Sequence, residues 1–80
     1  MKKYKISNNI DFCLKEFDFL NVEIAVRYVI ENPFEFVTFK LLDSKQIFIY
    51  EMKEDGEFYI VAFVDNALLG DYHIYWNNSE

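Results

Sequence analysis

The chain has 80 residues, of which 52% are hydrophobic and 20% aromatic, and a net charge of −6. That length sets the expectation of one domain, and so apolar a composition excludes intrinsic disorder. The negative charge argues against direct binding to bare DNA or RNA, whose phosphates would be repelled, and disfavours anionic membranes in the same way.

Cys13 is the single cysteine, so no internal disulfide and no cysteine metal cluster is expected, and a small buried apolar role in a reducing cytosol fits it. The basic start, Met1, Lys2, Lys3, Tyr4 and Lys5, is not followed by an apolar stretch, so no secretory signal is expected. The longest apolar run, residues 58–64, is far too short to cross a bilayer as a helix. A cytoplasmic protein is the expectation.

In chain order, residues 3–7 alternate, with Tyr4 and Ile6 on one side, and Ser7, Asn8 and Asn9 signal a turn. Residues 10–19 read both ways. Ile10, Cys13, Leu14 and Phe17 fit a helical stripe, while Phe12 with Leu14 and Phe17 with Phe19 fit strand periods. The crowding of aromatic residues and the helix start after them favour a second strand, in a hairpin with the first.

The helix is expected over residues 22–32. Asn21 is a good N-cap, and Leu20 before it is placed to pack on Ala25 as a staple. Val22, Ala25, Val26, Val29 and Ile30 form an apolar stripe, with Glu23, Arg27 and Glu31 on the opposite face. Asn32 and Pro33 stop it, because the residue before proline avoids the helical region.

Three strands are then expected, at residues 34–42, 46–52 and 57–64. The second connection, Lys53 to Glu57, fits a type I turn with Gly56 in the left-handed position. That register sets Met52 opposite Phe58, Tyr50 opposite Ile60 and Phe48 opposite Ala62. A two-residue loop at Ser44 and Lys45 joins the first two strands. One sheet face then carries Val37, Phe39, Leu41, Phe48, Tyr50, Met52, Phe58, Ile60 and Ala62, all apolar or aromatic. The other carries Phe36, Thr38, Lys40, Leu42, Ile47, Ile49, Glu51, Tyr59, Val61 and Phe63. All the polar strand side chains fall on this second face, so the helix is assigned to the first. Asp65 and Asn66 begin a break, Ala67 to Gly70 suits a turn, and residues 72–76 alternate as a last strand would. The fold class expected is α+β: a mostly antiparallel sheet of four to six strands with one helix on one face, in the order β-β-α-β-β-β, to which residues 72–76 would add a last strand.

The chain carries no catalytic or cofactor motif, and neither enzyme activity nor a cofactor is expected. His73 is the lone histidine and cannot build a multi-histidine metal site. Glu51, Glu54, Asp55 and Glu57 cluster at the second turn in a run too short for a calcium loop. Base stacking on the aromatic residues would need a basic surround, and Lys40 is the only basic position in the three strands after the helix. Two features remain as candidate partner-binding surfaces. One is the apolar part of the second face, Ile47, Ile49, Tyr59, Val61 and Phe63, which would supply buried anchors. The other is the acidic turn, Glu54, Asp55 and Glu57, which would steer a protein partner with a basic surface. The expected function is protein binding without catalysis, as an inhibitor or adaptor. The alternative is a structural homodimer or assembly subunit joined through the aromatic sheet face.

In its length, single domain, lack of enzyme motifs and negative charge, with Glu54, Asp55 and Glu57 on a turn, the chain resembles the small acidic phage-encoded inhibitors of the anti-CRISPR kind. The resemblance implies blocking a nucleic-acid-binding effector by presenting carboxylates where phosphates would lie. Bacterial immunity proteins share the format, and for them the implied target is a toxin. No residue role carries over, because no motif is shared.

Overall fold

Alternating apolar residues at the start of the chain and across residues 46–65 build one sheet, and the computed structural model describes residues 1–8, 15–32, 35–36, 46–65 and 72–77. Among them are strands β1 (Lys2–Asn8), β2 (Lys15–Phe19), β3 (Ile47–Met52), β4 (Phe58–Asp65) and β5 (His73–Trp76), and one helix, α1 (Val22–Glu31). All neighbours are antiparallel and the strand order is β2-β1-β3-β4-β5, with α1 packed on one face. The expected α+β class and element order hold. So do the first hairpin, which places Tyr4 opposite Phe17, and the last strand.

The helix forms where its signals lie. Asn21 is extended and its side chain accepts from the Ile24 amide at 3.0 Å, which satisfies one of the free donors of the first turn. At the other end both the backbone and side-chain nitrogens of Asn32 donate to the Tyr28 carbonyl, at 2.9 and 3.0 Å. Ala25, Val26 and Val29 are buried, and Val22 and Ile30 flank them. Leu20 does not act as a staple, since it is exposed.

The helix covers the opposite sheet face from the one its charge pattern suggested. Tyr4 and Ile6 of β1, Ile47 and Ile49 of β3, and Ala62 and Val64 of β4 are all fully buried, with 0% exposure, and pack with Ala25, Val26, Val29 and Phe36. The face assigned to the helix, with Phe48, Tyr50, Met52, Phe58 and Ile60, is instead the outer one. Two physical causes lie behind this. First, Glu51 sits on the covered face but is fully partnered there, so it does not forbid burial. Second, β4 carries a bulge. Met52 pairs with Phe58 and Tyr50 with Ile60 as expected, but Ile49 pairs with Ala62 and Phe48 with Phe63. Val61 is the extra residue, and it packs against the core alongside Ala62. Ala62 and Val64 thereby join the covered face, and Phe63 joins the outer one.

Of the strand expected at residues 34–42, only Glu35 and Phe36 are described, and they form a short helical turn instead, with the Glu35 amide on the Asn32 carbonyl at 3.2 Å. Residues 37–42, the loop at Ser44 and Lys45, the turn at residues 67–70, and Cys13 lie outside the described residues. At the β2 edge Phe17, Phe19, Tyr28 and Phe36 form an aromatic cluster, with ring centroids 5.3 Å apart for Phe17 and Tyr28 and 5.4 Å for Phe19 and Tyr28.

A candidate protein-binding surface at the acidic turn

The turn between β3 and β4 is fixed by its backbone. The Gly56 amide donates to the Lys53 carbonyl and the Lys53 amide to the Glu57 carbonyl, both at 2.9 Å. Gly56 sits at φ 81°, the left-handed region that glycine takes without strain. The Asp55 carboxylate accepts from the Glu57 amide at 2.9 Å and from the Tyr59 hydroxyl. These bonds, the Tyr59 one first, hold the Asp55 carboxyl below its ordinary range, and the same bond raises the Tyr59 phenol. Glu54, Asp55 and Glu57 are thus gathered at one exposed tip.

Beneath the tip lies a buried polar network. Glu51 is 6% exposed. Its carboxylate accepts from the Tyr4 hydroxyl at 2.6 Å and from Lys53 Nζ at 2.7 Å, with Lys2 Nζ at 3.8 Å. Burial alone would raise its pKa. The bonds from Lys53 and Tyr4 and the two lysine charges outweigh that and hold it below the usual carboxylate value. Burial, and then the bond to Glu51, pushes the Tyr4 phenol well above its ordinary value. The arrangement is a satisfied structural network. Its phenol stays protonated and its carboxylate stays charged, which leaves neither poised to exchange a proton near neutrality.

Beside the tip the outer sheet face is divided. On its β1–β2 side Lys3 lies opposite Asp18 and Lys5 opposite Glu16. On its β3–β5 side it is aromatic. Phe48, Phe63 and Tyr75 form a row across three strands, with centroids 5.6 Å apart for Phe48 and Phe63 and 4.6 Å for Phe63 and Tyr75. Lys5 Nζ stands 4.4 Å over the Phe58 ring. An open recess of about 580 Å³ near the tip is lined by Tyr50, Phe58 and Ile60 of this face together with Lys53, Tyr59, Val61 and Asn77.

The residues expected to bind a partner are therefore separated. Glu54, Asp55, Glu57 and Tyr59 come together at the tip, with Tyr59 46% exposed. Phe63 belongs to the outer ring row and Val61 to the bulge. Ile47 and Ile49 are core and offer no surface, which corrects their place in the expected interface. Ile60, Tyr72, Tyr75 and Trp76 are exposed and were not expected to be. Ile60 was assigned to the helix-covered face, and the exchange of faces uncovers it. The signal for the others was available: a short final strand at the end of a sheet is an edge.

Among the described residues no group of three His, Cys, Asp or Glu side chains is arranged to hold a metal ion, and no helix is long and apolar enough to cross a membrane. No protein-family model, curated protein or solved structure matches this chain.

Proposed function

We propose that this protein is a non-catalytic, cytoplasmic protein-binding inhibitor or adaptor that engages a basic surface through the β3–β4 tip. The observation that supports the reading is the adjacency of charge and aromatic surface. Glu54, Asp55 and Glu57 are exposed immediately beside exposed Tyr59 and Ile60 and the recess they line. Carboxylates steer a cationic groove into place, and the apolar floor then supplies contact area that water gives up on binding. Asp55 is held rigidly by Tyr59 and the Glu57 amide, so little conformational freedom is lost on docking. The resemblance to anti-CRISPR proteins narrows the partner class to nucleic-acid-binding effectors whose phosphate-binding groove the tip would occupy.

The test is competition. A panel of guide-loaded CRISPR effectors is mixed with the protein, and binding of labelled target DNA is followed by mobility shift at two salt concentrations. The expected result is loss of DNA binding by at least one effector, relieved by salt and by the combined replacement of Glu54, Asp55 and Glu57 with Lys. Inhibition that survives both would show that the tip is not the contact. No inhibition across the panel would remove the effector-blocking reading.

A further inference from the structure

The β5 edge of the sheet has a geometry of its own, independent of the acidic tip. The Asn77 amide donates to the Val61 carbonyl at 2.9 Å, and β4 pairs with β5 as Ala62 with Trp76, Phe63 with Tyr75, Val64 with Ile74 and Asp65 with His73. In an antiparallel ladder the backbone groups of successive residues point to opposite edges. Asn77 points its amide at β4, so Tyr75 and His73 do the same. The amide and carbonyl of Ile74 and of Trp76 therefore point away from the sheet. The edge is open to water: Tyr72, His73, Tyr75, Trp76 and Asn77 are all exposed and Ile74 is half-buried. On the helix side, an open groove of about 170 Å³ runs between this edge and α1, lined by Glu23, Val26, Arg27, Ile30, Ile74 and Trp76.

We propose that this edge pairs with a second copy of the chain, antiparallel across a two-fold axis at Tyr75, to make one continuous sheet through both protomers. The outward-facing residues are spaced two apart, and this makes the edge self-complementary. With Tyr75 opposite the partner's Tyr75, Ile74 meets the partner's Trp76 and Trp76 meets the partner's Ile74. Both are then pairs in which each residue donates and accepts, so every outward backbone group of the two residues is satisfied at once. The side chains agree with this register. Ile74 and Trp76 lie on the helix side, so each apolar pair fills the groove beside α1. Tyr75 lies on the outer face, so the Phe48, Phe63 and Tyr75 row continues across the axis. Among the described residues β5 pairs only with β4, and an exposed edge ending in large aromatics is otherwise an invitation to uncontrolled association that a closed two-fold consumes.

Each copy carries a charge of −6, so salt screens the repulsion between them and should tighten the dimer. That is the opposite of its expected effect on a basic partner at the tip, so the two readings fail separately.

Sedimentation equilibrium of the whole chain is expected to show twice the 9.7 kDa protomer mass, with tighter association at higher salt. Trp76→Pro removes an outward amide that the pairing with β4 does not use, and by symmetry strikes both pairs. It is expected to leave the circular dichroism spectrum unchanged and to weaken the dimer by at least ~tenfold. Tyr75→Cys, in a Cys13→Ser background, is expected to form an interchain disulfide on mild oxidation. The facing residues of such a pair stand ~4.5 Å apart at Cα, within disulfide reach. His73→Cys in the same background is expected not to cross-link. A monomer at all concentrations and salts overturns the proposal. So does a dimer that Trp76→Pro leaves intact, or one in which His73→Cys cross-links and Tyr75→Cys does not.

Discussion

Glu51 is the one charged side chain among the described residues that the covered face buries. A carboxylate at 6% exposure is tolerated because Tyr4, Lys53 and Lys2 converge on it. Removing one of them should be costly without being fatal. Tyr4→Phe is expected to destabilise by roughly 1–3 kcal/mol, the cost of leaving a buried charged group short of one hydrogen bond, as measured by urea unfolding. The same network sets an acid limit. Folded Glu51 releases its proton more readily than unfolded Glu51, so its contribution is whole above the ordinary value of 4.5 and is lost as pH falls through the lower folded value. Glu51→Gln should therefore be less stable than the parent at pH 7, with the gap closing in thermal melts taken below pH 4.5. Gly56 is a second informative residue. It sits at φ 81°, and a methyl added there would meet nothing within 4 Å, so the cost of Gly56→Ala is backbone strain alone. That is roughly 1–2 kcal/mol by melt or denaturant titration.

At the scale of elements, α1 is held by the packing of Ala25, Val26 and Val29 and by its N-cap. The helix spans ten residues, too few to persist outside the fold. Asn21→Ala should cost about 1 kcal/mol, read as a lower urea midpoint at unchanged slope. This helix was legible in the sequence because its signals are local: a cap, a stripe spaced three and four apart, and a stop at Asn32. The turn at Gly56 was legible for the same reason. The covered face was not, because two of the residues that make Glu51 buriable, Tyr4 and Lys2, are far away in sequence, Tyr4 by 47 residues. Read along β3 alone, a glutamate close to isoleucines marks solvent. The bulge was equally silent, since Val61 is an ordinary strand residue that no glycine or proline marks, and its displacement is set by the pairing of β4 with β3 and β5. Of the candidate surface, the carboxylates could be placed from the turn. The apolar half was mixed with core, because the exchange of faces buries Ile47 and Ile49 while the bulge turns Phe63 outward.

For the whole molecule, the two sheet faces should respond oppositely to charge. A chain of this size has a total stability on the order of 4–12 kcal/mol. Ile49→Asp places an unpaired carboxylate among Ile6, Ile47 and Ala62, a cost of the same order, and circular dichroism is expected to show an unfolded chain. Ile60→Asp, on the outer face at 38% exposure, should fold with a near-parental melt. A folded Ile49→Asp protein would mean that the helix does not seal that face. The charge asymmetry has an effect at this scale too. The outer face is amphoteric on its β1–β2 side and ring-lined on its β3–β5 side, so it has one polar flank and one aromatic flank, with the acidic tip at the end of the second.

The bulge at Val61 sets the local twist of β4 where the β3–β4 hairpin leaves the sheet. Removal of that one residue would leave a regular ladder in which Tyr50 still meets Ile60 and Ile49 still meets Ala62. Each side chain on either side of the gap would keep its present face. The added twist and bend that a bulge brings would go, and with them the angle at which the β3–β4 hairpin leaves the sheet. A single codon lost here would therefore re-aim Asp55, Glu57 and Tyr59 while leaving Ala62 and Val64 seated. The orientation of the acidic tip and the seating of the core are thus set by different residues of the same strand.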